Sequence, residues 1–184
     1  MSPILGIIAS QNYPRESNSY ESIATVTVGS GGASSISFSS IPSTYQHLQL
    51  RGIIKNSSSS TFAAMRFNSD TGSNYSAHYM DGDGASVTAG AASNYDRSYF
   101  GYSGTSSQTN IFGVSVIDIL DYKDTNKFKT VRILTGVDVN GSGGVVEFSS
   151  SLWRSTSAIS DISIFFSSTN LAQYSQVALY GIKG

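Results

Sequence analysis

Apolar and polar residues exchange places every second position along most of this chain, and a helical period is hard to find. In SIATVTV (22–28) Ile23 lies opposite Ala24, Val26 and Val28, and in SISFSSI (35–41) Ile36 and Phe38 alternate with serines. HLQLRGII (47–54) sets Leu48 and Leu50 on one face and Gln49 and Arg51 on the other, while TFAAMRF (61–67) gives Ala63, Met65 and Phe67 one side. IFGVSVIDIL (111–120) is apolar on both faces, as a central strand would be. FKTVRIL (128–134), VVEFSSSLW (145–153), ISDISIFF (159–166) and VALYGI (177–182) bring the predicted strands to about nine, with weaker ones at 77–80 and 98–102. Leu48, Leu50, Val114, Val116, Val131, Ile133, Ile164 and Leu179 are the expected buried positions.

The connectors agree with strands. Ser57–Ser60, Asp70-Thr71-Gly72-Ser73, residues 121–127 and Asn140-Gly141-Ser142-Gly143-Gly144 are rich in turn formers. Asn140-Gly141 is a favoured hairpin dipeptide, because both residues tolerate φ > 0. Many short strands without βαβ alternation predict an all-β, antiparallel, jelly-roll-like β-sandwich. The Ser/Gly-rich tract from Ala85 to Gln108 is the least patterned and is expected to be a surface loop with one or two short strands.

Composition narrows the function classes. The 184 residues suit one domain, or one domain with an arm. Only 12% are charged, about half the usual share, and 37 serines and 18 glycines make the polar surface mostly hydroxyl and amide. A net charge of −1 gives a folded chain little colloidal protection as a monomer. The composition therefore points to a protein that works assembled. Eleven basic residues against twelve acidic ones leave no field for nucleic acid or an anionic membrane. Cysteine is absent, so disulfides and thiolate zinc sites are excluded. PILGIIA near the start is too short for a typical signal-peptide core and has no cation before it, so a secretory signal is not expected.

RFNSDTGSNYSAHYMDGDG (66–84) most resembles a site. A calcium loop would need a distant bidentate Glu, yet none follows until Glu147. Asp70, Asp81 and Asp83 are therefore expected to hold turns, with no metal and no cofactor. His47 and His78 lie in no nucleophile context, and no G-x-S-x-G elbow occurs. Among Asp118, Asp121, Asp138 and Glu147 a glycosidase pair is conceivable, but turn-capping or solvated acids are the stronger reading. No catalytic residue is assigned, and no enzymatic activity is expected. Tyr75, Tyr79, Tyr95, Tyr99 and Tyr102 crowd one region beside Asn74, Asn94 and Arg97. They form a possible recognition surface for a host glycan or a protein, or else pack on sheet faces.

Residues 1–20 contrast with the domain at 21–184. Ile4, Leu5, Ile7 and Ile8 form an aliphatic cluster, followed by the polar, turn-prone QNYPRESNSY. The segment reads either as the first strand of the sandwich or as an attachment arm. Pro14 favours the arm, because proline lacks the N–H that a central strand must donate.

SISFSSIPSTYQHLQLRGI, MRFNSDTGSNYSAHYM, VIDILDYKDTNKFKTVR and the closing ALYGIKG together resemble virion structural proteins of tailed bacteriophages, over residues 22–184. PILGIIASQ is similar to attachment peptides on phage appendage proteins. The resemblance implies a β-sandwich displayed on the virion, oligomeric and expected to be a trimer, as a tail or neck fibre. A capsid-decoration protein or a carbohydrate-binding receptor-recognition module are the alternatives. It further implies other virion proteins as partners of the arm. No catalytic residues carry over, and RFNSDTGSNYSAHYM reads as a hairpin of strand, tight turn and strand.

Overall fold

The alternation becomes twelve antiparallel strands in a computed structural model that describes residues 19–59, 62–105, 107–141 and 143–184. The strands are β1 (Tyr20–Thr27), β2 (Ser35–Phe38), β3 (His47–Ile54), β4 (Phe62–Phe67), β5 (Tyr75–Gly82) and β6 (Val87–Tyr95). They continue with β7 (Ser98–Tyr102), β8 (Gly113–Leu120), β9 (Lys129–Val137), β10 (Val145–Trp153), β11 (Ile162–Phe165) and β12 (Gln176–Ile182). No helix occurs among the described residues. Residues 1–18, which include the predicted arm with Ile4, Leu5, Ile7 and Ile8, lie outside them.

Two sheets stack as a jelly-roll-like sandwich. One holds eight strands in the order β1-β12-β3-β8-β9-β10-β5-β6, the other four in the order β2-β11-β4-β7. Between them Leu48, Leu50, Ile117, Ile119, Val131, Ile133 and Leu179 of the wide sheet meet Ile36, Met65, Phe67, Phe100, Ile162 and Ile164 of the narrow one. Asn140 and Gly141 turn the β9–β10 hairpin at φ 60 and 117, as the dipeptide predicts.

Three expectations are corrected. Val114 and Val116 point outward, and Ser115, Ile117 and Ile119 point inward. Both faces of β8 are apolar, so alternation could not choose between them; a buried hydroxyl pair identifies the inner one. Ser115 Oγ lies 2.9 Å from Thr135 Oγ1, which also accepts the Tyr102 N–H at 2.9 Å. Gly101, at φ 143, passes directly over the pair, where a Cβ would collide with both hydroxyls.

The tract at 85–108 is not mainly loop. It supplies β6, nine residues long, and β7. Small residues hid β6, since VTAGAASNY has little hydrophobic contrast to read. Gly90 is needed there because the Tyr79 ring occupies the space a Cβ would take, 2.5 Å from its hydroxyl.

The third correction concerns RFNSDTGSNYSAHYM, which is not a hairpin. β4 pairs with β11 and β7 in the narrow sheet, whereas β5 pairs with β10 and β6 in the wide one. The turn is a corner between sheets. Asn68 and Ser69, both left-handed at φ 50 and 56, redirect the chain across the core.

Inward alternation also places a lysine inside. Lys129 begins β9 in phase with Val131 and Ile133 and is 0% exposed. Its ammonium donates to the carbonyls of Asp124 (2.6 Å), Lys127 (2.9 Å) and Thr156 (3.2 Å), tying the β8–β9 turn to the segment after β10. Burial lowers its pKa from the ordinary value, and the Asp124 and Asp121 charges oppose that shift. A buried charge is tolerated only when so fully bonded. Lys129→Met keeps the stem but orphans three acceptors, and should cost about 1–3 kcal/mol in urea unfolding.

Candidate functional site

The carboxylates of the 66–84 stretch have separate partners. Asp70 Oδ1 accepts the Gly72 N–H at 2.8 Å, and Oδ2 accepts Asn74 Nδ2 at 3.0 Å and the Trp153 indole N–H at 2.7 Å. Asp83 Oδ1 accepts the N–H groups of Ala85 (2.9 Å) and Ser86 (2.7 Å) and closes the β5–β6 turn. Asp81 stands on β5 opposite Glu147, and His78 is exposed on the outer face. Among the described residues no three His, Asp or Glu side chains gather as a metal site. The other acids are also dispersed. Asp118 bonds Gln49 and Arg132, Asp121 bonds Gln46 and Lys127, and Asp138 caps its own turn at Asn140.

Asp70 anchors the sheet-to-sheet corner. Burial pushes its pKa up, but hydrogen bonds from Trp153, Asn74 and Gly72 outweigh it and hold the carboxyl below its ordinary 3.8. Its folded pKa is depressed, so the stability it adds is present above 3.8 and lost as pH falls through the folded value. Asp70→Ala should lower stability by about 1–3 kcal/mol at neutral pH. It should also shift the emission of Trp153, the one tryptophan of the chain, which stacks near Tyr75 and Phe67.

The structure divides the five tyrosines. Tyr75 is buried against Phe67 and Trp153, and burial raises its pKa to about 12. It is core and leaves the predicted recognition surface. Tyr95 and Tyr99 lie 6.3 Å apart, and Phe62 packs at 5.8 Å from Tyr99 and 4.2 Å from Tyr102. Burial is the first cause that raises Tyr99 and Tyr102 to about 12, with the nearby Tyr79 and Glu147 adding to it. Four of the five thus converge where the wide sheet extends past β7.

Beneath them sits Glu147, a residue that the sequence offered only as one acid among four. It is 4% exposed, and Oε1 has no hydrogen-bond partner. Burial, then the Asp81 charge across the strand pair, raises its pKa above the ordinary 4.5. With the folded pKa raised, the native state holds this proton more tightly than the unfolded chain, so stability falls as pH rises above 4.5. Glu147→Gln should match the wild type in urea midpoint below pH 4.5 and exceed it at neutral pH.

The outer face of the wide sheet carries two exposed apolar rows, of which the sequence reading placed Val114 and Val116 inside. Cross-strand neighbours Val116, Leu134, Phe148 and Met80 form one row, with Leu134 53%, Phe148 48% and Met80 54% exposed. Beside it runs a second row, Ile53, Val114, Gly136, Val146, Gly82 and Val87. The two glycines and the β5–β6 and β9–β10 turns shape an open depression of about 790 Å³ floored by Val114, Gly136 and Val146. A third row is polar: Gln49 Nε2 donates to Asp118 Oδ1 at 2.8 Å, and Arg132 Nη2 donates to Asp118 Oδ2 at 2.9 Å. At its end Arg51 lies over the stacked rings of Tyr20 and Tyr180. The only alternation error in β8 concealed this surface: once Val114 and Val116 face out, the rows assemble by register.

No family model and no curated protein matches the chain. Among solved structures, galectin LEC-6 from Caenorhabditis elegans matches at a TM-score of 0.36 and 7% identity, over 84% of this chain and 94% of that one.

Proposed function

We propose that this chain is a non-enzymatic structural protein of a tailed-phage particle, a tail or neck fibre component. It self-associates through the outer face of its wide sheet and joins the particle through its N-terminal arm. The observation that carries this reading is the pair of exposed apolar rows. From β3 to β6 the longer row spans five strand spacings, about 24 Å at about 4.8 Å each, and the shorter, from Val116 on β8 to Met80 on β5, spans three. With a second row about 7 Å away, the patch is on the order of 300 Å², the size at which apolar patches on monomers tend to be functional. A stable interface buries about 800 Å² per partner, so the rows supply its apolar centre and the Gln49–Asp118–Arg132 ladder part of its rim. The low charge of the chain and its resemblance to virion proteins support the same reading. Asp70, Asp83, Asp118, Asp121 and Asp138 are engaged in turns and ladders, which favours a structural over a hydrolytic role for them, while Asp81 and Glu147 face each other across β5 and β10.

Sedimentation velocity tests it. The 19.5 kDa chain should sediment as an oligomer, with a trimer expected, and Leu134→Glu with Phe148→Glu should give a monomer with an unchanged far-ultraviolet spectrum. A wild-type chain that stays monomeric at tens of micromolar would overturn self-association. Mass spectrometry of purified particles should return its peptides.

A further inference from the structure

Four strands end the two sheets, and three of them are blunted. β2 has four residues, and β7 has five with a register shift against β4 at Ala63/Ala64. β1 is shifted at Ser22/Ala24 and carries Glu21, which Lys183 holds. Short strands, bulges and edge charges stop a free edge from pairing with another chain. β6 has none of them over Val87–Ser93. It is uncharged, free of proline, and paired with β5 without a shift from Val87 to Ala92. Among the described residues only β5 hydrogen-bonds to Val87–Ser93, so alternate backbone N–H and C=O groups face outward along about 20 Å.

We infer that β6 pairs along this edge with β6 of a second copy, antiparallel about a two-fold axis at Gly90. This contact uses the rim of the wide sheet and leaves its outer face free; only its strength rests on the assembled state proposed above. Two features select a second copy as the occupant. The first is Tyr79, whose side chain lies over Gly90 toward the free edge, and whose hydroxyl has no hydrogen-bond partner among the described residues. Across an axis at Gly90 a second Tyr79 arrives from the opposite side. The two hydroxyls then stand within about one strand spacing, about 4.8 Å, and a small swing of the rings lets one donate to the other. The second is the sequence around Gly90. The axis sets Ala89 against Ala91, Thr88 against Ala92 and Val87 against Ser93, so every pair has a small member and no charge is buried. Seven residues with small side chains bury far less than the about 800 Å² per partner of a stable interface. The edge alone therefore leaves the chain a monomer at tens of micromolar. Between one oligomer and the next, several such contacts act together and gain from effective concentration.

The absence of cysteine makes the test clean. Ala89 and Ala91 are exposed, and opposed residues of antiparallel strands lie about 4.5–5.5 Å apart, within disulfide reach. Full chains carrying Ala89→Cys and Ala91→Cys are mixed, dissociated, reassembled and oxidised, then run on a non-reducing gel. The expected result is a covalent dimer several-fold more abundant in the mixture than with either variant alone. Equal yield from either variant alone would mean another axis or random encounter, and would overturn the inference. In chains that also carry Leu134→Glu and Phe148→Glu the yield should fall while the preference for the mixture remains. Loss of that preference would mean that the outer faces bring the thiols together, and would overturn it too. If no bond forms while the wild type sediments as an oligomer, the edge contact is wrong and the assembly reading stands. If the wild type is a monomer while the mixture is still preferred, the edge contact stands and the outer-face reading fails.

Discussion

Everything in this fold follows from covering an eight-stranded sheet with a four-stranded one. A sheet of alternating residues must bury one face, and here only half as many strands are available to do it. The narrow sheet lies across the middle, with its edge strand β7 packed on β8, β9, β10 and β5. β6 lies beyond that cover and contributes no buried residue. Beneath β7 and towards this overhang the interior turns polar: Ser98 bonds Ser151, Ser115 pairs with Thr135, and Glu147 sits beneath the tyrosines. Aromatic rings with hydroxyl tips suit such a margin, because the ring seals the core and the tip meets water.

Much of this was legible in the chain. Where one face is apolar and the other polar, as in β3 with Leu48 and Leu50 against Gln49 and Arg51, alternation alone fixes which side is buried. It fails where both faces are apolar, and β8 shows why. Ile117 and Ile119 compete with Val114 and Val116, and the decision rests on Ser115 finding Thr135 across the ladder, a partner twenty residues away. β6 failed for the opposite reason, since alanine and glycine on both faces leave no contrast. The corner at Asp70 was misread because a tight turn between two strands looks the same whether they pair or separate. What separates them is Trp153, whose indole holds Asp70 from 83 residues further along.

The same reasoning applies to candidate chemistry. Lys129 could have been noticed by phase, being a lysine in step with Val131 and Ile133, but its three carbonyl partners come from two loops that no pattern joins. Glu147 likewise stands at an inward step of β10, opposite an acid on the adjacent strand. The five tyrosines were close in sequence, and four are close in space. Tyr75 departs because it belongs to the first inward step after the corner, where the core needs a large ring.

Pairing β1 with β12 sets Tyr20 against Ile182 and Thr27 against Gln176, with Lys183 bonded to Glu21. For a chain made from its N-terminus, the first of the described strands to leave the ribosome is among the last of them to find its place. About 150 residues must be synthesised after β1 before its partner exists, which at about 5–20 residues per second is a wait of roughly ten to thirty seconds. During that interval SIATVTV is an unpaired β-prone edge, and in a polysome it faces identical edges on neighbouring nascent chains. Glu21 at its start and the serine-glycine tract after it are local guards among the described residues, so the late arrival of β12 makes biosynthesis an exposed stage in the life of this sandwich.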